Sequence, residues 1–314
     1  MIPTRIATVT LNPAIDQTVA IANFQPNAVN RISWEQADAG GKGVNVAAFL
    51  ADYGCQVSAT GFLGQDNPDL FEKLFYQKQI DDRFIRIPGK TRVNVKIVDD
   101  AQGQVTDINF PGQEEHPGDL NKLESAIASL AQSHQWFIFS GSVPVGLPTT
   151  IYHDLIEPLK DRDIPVVIDT SGAALRHALS AQPYLIKPNL AELRELMDQP
   201  LDTEANIVKA ARQLVNFGIC HVVVSMGGEG ALFINEQTII QAQPPRIEVK
   251  STVGAGDALV AGLVAGLSHG KPWADCAALA TAFAMAALSQ IGAGLPSRDV
   301  VDQNCDRVTL RFLD

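Results

Sequence analysis

The chain has 314 residues, 46% hydrophobic and 19% charged, which is enough to bury a large core. Its formal net charge of -11 excludes a surface made mainly for nucleic acid or anionic membrane, because phosphate groups demand clustered Lys and Arg. Four scattered cysteines form no C-x-x-C pair, so we expect free thiols, no zinc site and a cytoplasmic protein. The longest apolar runs, 258–267 and 276–288, fall short of the roughly 20 residues that cross a bilayer, and predict buried helices.

Short β-branched or aromatic segments alternate with helical patterns along the chain. The predicted strands are 6–11, 136–139, 166–168 and 222–224. The predicted helices are 44–53, 120–132, 151–160, 190–197 and 205–217. This alternation predicts an α/β fold in which a mostly parallel sheet lies between two layers of helices. No linker or repeat divides the chain, which favours a single domain over residues 1–314.

Two segments, 14–37 and 91–110, depart from this pattern. Residues 92–97 alternate strictly between polar and apolar side chains, a turn follows at 99–103, and 105–110 return as a second strand. Such a hairpin has one face exposed to solvent and projects from the main sheet. The two segments therefore predict a small β lid, whose polar face either binds a ligand or is simply hydrated.

The first glycine cluster is Gly40-Gly41-Lys42-Gly43. It is no P-loop, because Gly43 stands where a P-loop has Ser or Thr. Its backbone N–H groups are still accessible, so Lys42 and Asn45 are candidates for binding a substrate phosphate or hydroxyl. A solvent-facing lysine after a glycine turn explains the same residues. Asp16, after the first strand, lies where α/β folds place ligands, or is a turn residue.

Two further segments run from a strand into a turn or helix. Asn189 and Glu192, three residues apart, either hold hydrated Mg²⁺ or form a capping box at a helix start. Residues 222–230 pass from a buried strand into a glycine turn that either approaches a nucleotide or is an ordinary hairpin. The turn lacks the G-x-G-x-x-G spacing, which argues against a Rossmann dehydrogenase.

The segment Gly254-Ala255-Gly256-Asp257 opens an apolar helix. Unpaired N–H groups of a first helical turn, with the helix dipole, stabilise the charge of a transferred phosphoryl group. Asp257 is placed to accept the proton of an attacking hydroxyl. The same four residues are equally compatible with a tight turn followed by a favourable first-turn carboxylate.

Taken in this order, residues 40–45, 187–192 and 253–257 resemble the ribokinase-like, phosphofructokinase B family of carbohydrate kinases, over essentially the whole chain. The resemblance implies a three-layer α/β/α sandwich with a small β-sheet lid, and the use of ATP and Mg²⁺. It implies Asp257 as general base and an anion hole of Gly254, Ala255 and Gly256. The residues implied near ATP are Lys187, Ser225, Gly227, Gly230, Gly254 and Gly256; those near Mg²⁺ are Asn189 and Glu192; those around the sugar phosphate are Asp16, Gly41, Lys42, Asn45, Arg92, Ser140 and Asp257.

Within the family, residues 10–16, 91–97, 106–112 and 140–142 resemble the branch that phosphorylates the 6-hydroxyl of fructose 1-phosphate to fructose 1,6-bisphosphate. Branches acting on tagatose 6-phosphate or fructose 6-phosphate, and a non-catalytic sugar-phosphate sensor, remain alternatives. Many members carry Asp-Thr where this chain has Ser251-Thr252, which leaves a potassium requirement open. Family lids often pair between subunits, which implies a homodimer through the lid.

Overall fold

The structure is a computed structural model that describes residues 4–113, 118–247, 249, 254–290, 292 and 294–313. The strands, in chain order, are β1 (Arg5–Thr10), β2 (Ala14–Ala20), β3 (Trp34–Gly40), β4 (Gln56–Gly64), β5 (Asp81–Asp82), β6 (Ile85–Ile87), β7 (Val93–Asp99), β8 (Gln104–Ile108), β9 (Trp136–Ser140), β10 (Val166–Asp169), β11 (Leu185–Ile186), β12 (His221–Ser225), β13 (Ala231–Asn235), β14 (Ile239–Gln243) and β15 (Thr309–Leu313). The helices are α1 (Lys42–Asp52), α2 (Asp69–Lys78), α3 (Asp119–Leu130), α4 (Ile151–Lys160), α5 (Gly172–Ala178), α6 (Leu190–Met197), α7 (Glu204–Phe217), α8 (Ala255–Ser268), α9 (Trp273–Leu288) and α10 (Arg298–Cys305).

The main sheet contains eleven of the described strands, in the order β15-β14-β13-β12-β11-β10-β9-β1-β4-β5, with β6 also paired to β4. The strands from β12 to β5 pair in parallel, whereas β13, β14 and β15 add an antiparallel end. The prediction of an α/β fold with a mostly parallel sheet is confirmed. The parallel strands carry near-continuous apolar runs because helices cover both of their faces.

Each face of the main sheet has its own hydrophobic core. One core joins the sheet to α1, α2, α8 and α9, and the other joins it to α3, α4, α5, α6 and α7. Helices α8 and α9 pack closely, since a Cβ built on Gly262 would lie 2.8 Å from the Ala280 Cα. The apolar runs 258–267 and 276–288 therefore lie in buried helices, as predicted. Over the described ranges, no helix combines the length and the apolar character that a membrane crossing needs.

The second sheet is small and has the order β3-β2-β7-β8. Strands β2 and β7 pair in parallel, and β3 and β8 pair antiparallel at the two edges. The predicted segments 14–37 and 91–110 supply these four strands, although β3 extends to Gly40. The hairpin of β7 and β8 turns at 100–103, inside the predicted turn. This sheet is called the lid below.

Asp99, the last residue of β7, organises one end of the lid. Its carboxylate accepts backbone N–H groups of Asn23, Phe24, Ala101 and Gln102 at 2.8–3.2 Å. Burial opposes the charge, but the four backbone donors outweigh burial and lower the pKa of Asp99. The Asp99 side chain thereby ties the β7–β8 turn to the loop that follows β2.

Candidate active site

The carboxyl ends of the parallel strands lie at one edge of the main sheet, and polar residues cluster there. Strands β9 and β10 end in Ser140 and Asp169, which are register partners, and Lys187 directly follows β11. Helices α1 and α8 begin at the same edge, because Asn45 of α1 donates a 2.8 Å hydrogen bond to Asp257 of α8. This edge is where ligands bind in α/β folds.

Helix α8 begins at Ala255, three residues before the apolar run 258–267 that predicted it. Gly254 caps it with a φ of 78°, a left-handed conformation that favours glycine. The backbone N–H groups of a first helical turn lack intrahelical partners, so this helix start offers donors to an anion. The glycine segment therefore opens a helix, as predicted. Ser251, Thr252 and Val253, with the potassium question, lie outside the described residues.

Asp257 lies in the first turn of α8 and is only 7% exposed. Burial is the main cause that raises the pKa of Asp257 to about 6, and the nearby Asp169 carboxylate raises it further. The ammonium groups of Lys42 and Lys187 and the hydrogen bond from Asn45 act in the opposite direction. A carboxylate with this pKa is ionised at neutral pH and basic enough to accept a proton.

Lys42 is the first residue of α1. Its neighbour Gly41 caps the helix at a φ of 107°, a conformation that favours glycine, and a Cβ built on Gly43 would lie 2.3 Å from the Thr10 Oγ1, so α1 starts in close contact with β1. The Lys42 Nζ lies 3.2 Å from the Asp169 Oδ1. Burial disfavours the ammonium group, but the carboxylates of Asp169, Asp257 and Glu192 outweigh burial and raise the pKa of Lys42. Lys42 is thus ion-paired at the cleft rather than merely solvated.

Lys187 approaches the same place from β11. Its Nζ lies 3.4 Å from the Asp169 Oδ1, and its side chain is almost fully buried. A Cβ built on Gly256 would lie 3.6 Å from the Lys187 Nζ, so the ammonium group lies beside the start of α8. Lys42, Lys187 and Asp257, far apart in sequence, therefore belong to one cluster.

Asp169 is the residue of this cluster that sequence reasoning missed. It is 1% exposed and closes β10, one residue beyond the predicted strand 166–168. The available signal was a carboxylate directly after a buried strand, which is the argument that singled out Asp16. Ser140, expected at the sugar phosphate, is fully buried, and its hydroxyl has no partner among the described residues.

Asp16 and Arg92 lie where the lid meets the main sheet. The Asp16 Oδ1 accepts a 3.1 Å hydrogen bond from Asn94, its register partner on β7. Burial raises the pKa of Asp16, while Asn94, Arg92 and Lys96 act against it. Arg92 donates to the backbone oxygens of Asn12, Pro13 and Phe110 at 2.9–3.2 Å. The guanidinium is therefore held in place by three carbonyls.

Asn189 and Glu192 form the capping box that begins α6. The Glu192 N–H donates to the Asn189 Oδ1 at 2.8 Å, and the Asn189 N–H donates to the Glu192 Oε2 at 2.7 Å. The Glu192 Oε1 makes no hydrogen bond within the described ranges. The Glu192 carboxylate is close enough to Lys42 to raise the pKa of the lysine. In the described part of the chain, no three His, Cys, Asp or Glu side chains are arranged to hold a metal ion. One free carboxylate oxygen suits hydrated Mg²⁺, which keeps several waters.

The turn after β12 holds the other residues expected near ATP. Ser225 bridges to Asn189, and its N–H donates to the Pro188 oxygen at 3.1 Å, so this turn adjoins the start of α6. Gly227 has a φ of 61° in the short 3₁₀ turn Gly227–Glu229. A Cβ built on Gly230 would lie 2.0 Å from the Ala242 oxygen, so close packing against β14 already requires glycine there.

Comparison with known proteins places the chain among carbohydrate kinases. The family model described as pfkB family carbohydrate kinase matches residues 9–299. A 1-phosphofructokinase of Rhodobacter capsulatus is 44% identical over 310 residues, 98% of each chain, and one of Xanthomonas campestris is 45% identical over 286 residues, 90% of each. The crystal structure of phosphofructokinase-2 from Escherichia coli in complex with fructose-6-phosphate matches with a TM-score of 0.89 at 27% identity, covering 96% of this chain and 98% of that one. The chain belongs to the pfkB family of carbohydrate kinases.

Proposed function

We propose that the chain transfers the γ-phosphoryl group of ATP to the 6-hydroxyl of fructose 1-phosphate. The observation that carries the chemistry is Asp257, a buried carboxylate with a pKa of about 6 at a helix start, beside two ammonium groups. The substrate is supported by relatives named 1-phosphofructokinase that match over nearly the whole chain.

In the proposed reaction, Asp257 accepts the proton of the sugar hydroxyl as its oxygen attacks the γ-phosphorus. Negative charge on the transferred group is stabilised by the first-turn N–H groups of α8 at Ala255 and Gly256 and by Lys42 and Lys187. Because the phosphoryl transition state needs little covalent help, positioning and electrostatics supply most of the catalysis.

The sugar phosphate is proposed to bind between the lid and α1. Three of the five N–H groups of Arg92 are used by backbone carbonyls, which leaves two for a phosphate oxygen. Asp16 accepts sugar hydroxyls, and Gly41 and Asn45 face the same cleft from the start of α1. Closure of the lid would exclude water and limit ATP hydrolysis.

ATP is proposed to lie along Lys187 and the turn from Ser225 to Gly230. The Glu192 Oε1, with Asn189 beside it, would hold hydrated Mg²⁺ next to the ATP phosphates. The ion neutralises phosphate charge during transfer when it is bound. Protein side chains, and not the ion, orient the sugar and accept its proton.

The test of substrate choice is ADP release with Mg-ATP and, in turn, fructose 1-phosphate, fructose 6-phosphate and tagatose 6-phosphate. We expect kcat/KM for fructose 1-phosphate to exceed the other two by roughly 100-fold or more, since a site built to pair with one phosphate leaves polar groups unpaired with its isomers. A preference for either 6-phosphorylated sugar would refute the proposed substrate. Sugar binding without any ADP release would instead favour the sensor.

The lid also carries exposed apolar side chains, which supports a homodimer. Trp34, Val105, Ile108 and Phe110, on or next to its edge strands β3 and β8, are 40–56% exposed. Edge strands with apolar side chains gain from pairing with another chain. We propose that two copies pair through their lids.

Replacing Ile108 with lysine is expected to convert the dimer to a monomer, because an ammonium group on β8 would be desolvated at the interface. Light scattering coupled to size exclusion at micromolar concentration measures the change. The control is Val145→Lys, at a position that is 61% exposed and outside the lid, and it should stay dimeric. A wild-type monomer, or a dimeric Ile108→Lys, would contradict pairing through the lid.

A further inference from the structure

The Asp169 carboxylate makes both of its ion pairs through one oxygen, Oδ1. Its Oδ1 lies 3.2 Å from the Lys42 Nζ and 3.4 Å from the Lys187 Nζ, while its Oδ2 has no partner in the described part of the chain. We propose that Asp169 is a positioning residue for phosphoryl transfer: its single oxygen holds the two lysine ammonium groups beside Asp257 and offsets part of their charge. The inference rests on the proposed kinase function and adds a residue to its machinery.

The two lysines reach Asp169 from separate segments of the chain. Lys42 begins α1, on one strand crossover, and Lys187 follows β11, on another. Two ammonium groups repel each other, and a flexible lysine side chain loses rotamer entropy when it is fixed. A fully buried carboxylate between them supplies one fixed negative charge for both, and it also accepts a hydrogen bond from Lys42. The rigid end of β10 thereby determines where both positive charges meet the transferred phosphoryl group.

The charge of Asp169 also affects the strength of Asp257 as a base. The ammonium groups of Lys42 from α1 and Lys187 from β11 meet the carboxylates of Asp169 from β10 and Asp257 from α8 here, and the Glu192 carboxylate of α6 also faces Lys42. The two lysines lower the pKa of Asp257, while Asp169 raises it. Without the Asp169 charge, the ammonium groups would make Asp257 a weaker base, and a weaker base accepts the hydroxyl proton less readily.

The test is Asp169→Asn, which keeps the shape and removes the charge. We expect kcat/KM to fall roughly tenfold to 100-fold, since displaced catalytic groups cost up to about 100-fold. Because a like charge is lost near Asp257, its pKa falls, and the acid limb of the kcat/KM profile should move down by about one pH unit. Substrate ionisation is the same for both enzymes, so it cancels in the comparison.

The matched control is Asp52→Asn at the other end of α1. Asp52 also pairs with a lysine, Lys78, at 2.5 Å, and it accepts the Leu295 N–H, so the same chemical change disturbs packing without touching Asp257. The acid limb of the kcat/KM profile of Asp52→Asn should coincide with that of the wild type. A folded Asp169→Asn whose acid limb does not move would overturn the inference, whereas an inactive wild type would refute the kinase function itself.

A second experiment decides the matter if Asp169→Asn does not fold. Lys42→Met and Lys187→Met are made singly and together, and the thermal midpoint of each is measured. Either single variant leaves Asp169 one partner, but the double variant leaves a buried charge with none, so its destabilisation should exceed the combined single effects. Additive effects would overturn the shared-oxygen arrangement.

Discussion

Asp257→Asn is expected to lower kcat by a factor of about 10²–10⁴, the usual contribution of a general base. Asparagine preserves the shape and can still accept the hydrogen bond from Asn45, so sugar and ATP should bind as before. An interaction made only in the transition state lowers kcat and kcat/KM equally. ADP release under saturating Mg-ATP, with calorimetric binding of each substrate, measures both quantities.

The same substitution should stabilise the folded protein at neutral pH. The folded-state pKa of Asp257 is raised to about 6, above its unfolded value, so this group's ionisation destabilises the fold as the pH rises towards 6. Removing the charge should raise the free energy of unfolding at pH 7 by on the order of 2 kcal/mol. The control Asp52→Asn breaks an ion pair and should not be stabilised. Near-normal turnover by the Asp257→Asn enzyme would refute the assignment of Asp257 as the general base.

Lys42→Met is expected to lower kcat/KM by about 10²–10³, because it removes one fixed positive charge from the transition state. Lys42 lowers the pKa of Asp257, so its loss should move the acid limb of kcat/KM to higher pH. That direction is opposite to the one expected for Asp169→Asn. Opposite shifts from two neighbouring residues are hard to obtain from a general loss of structure.

The control for this lysine is Lys78→Met. Lys78 pairs with Asp52 at the far end of α1, and its removal deletes an ion pair of the same kind. Its pH profile should match that of the wild type. If Lys42→Met leaves the acid limb in place, or moves it to lower pH, Lys42 does not face Asp257 in the working enzyme.

Local pattern predicted the types of the main elements well. Helices α4 and α6 have the predicted bounds, 151–160 and 190–197, because their apolar residues recur at helical spacing up to clear ends. The alternation of 92–97 likewise predicted a strand with one face exposed to solvent. The apolar run 258–267 begins three residues inside α8, since Gly254, Gly256 and Asp257 carry no apolar periodicity.

The ambiguous residues were resolved only by their surroundings. The Asn189–Glu192 pair is a capping box, as one of the two interpretations had it, and metal binding by the remaining oxygen is still a prediction. The glycines around Lys42 lie at close approaches, Gly43 of α1 against β1 and Gly40 of β3 against β2. Neither fact can be read from spacing, because each depends on which strand lies beneath the turn.

At the segment that begins α8, the sequence determines the local structure and the tertiary structure determines the surroundings. The sequence by itself determined a glycine-rich helix start with a first-turn carboxylate, since capping and the helix dipole are local properties. Only the tertiary structure decided that Asp257 is buried beside Lys42, Lys187 and the overlooked Asp169. A pKa depends on charges within a few ångströms, and here those charges come from three other segments that only the folded sheet brings together.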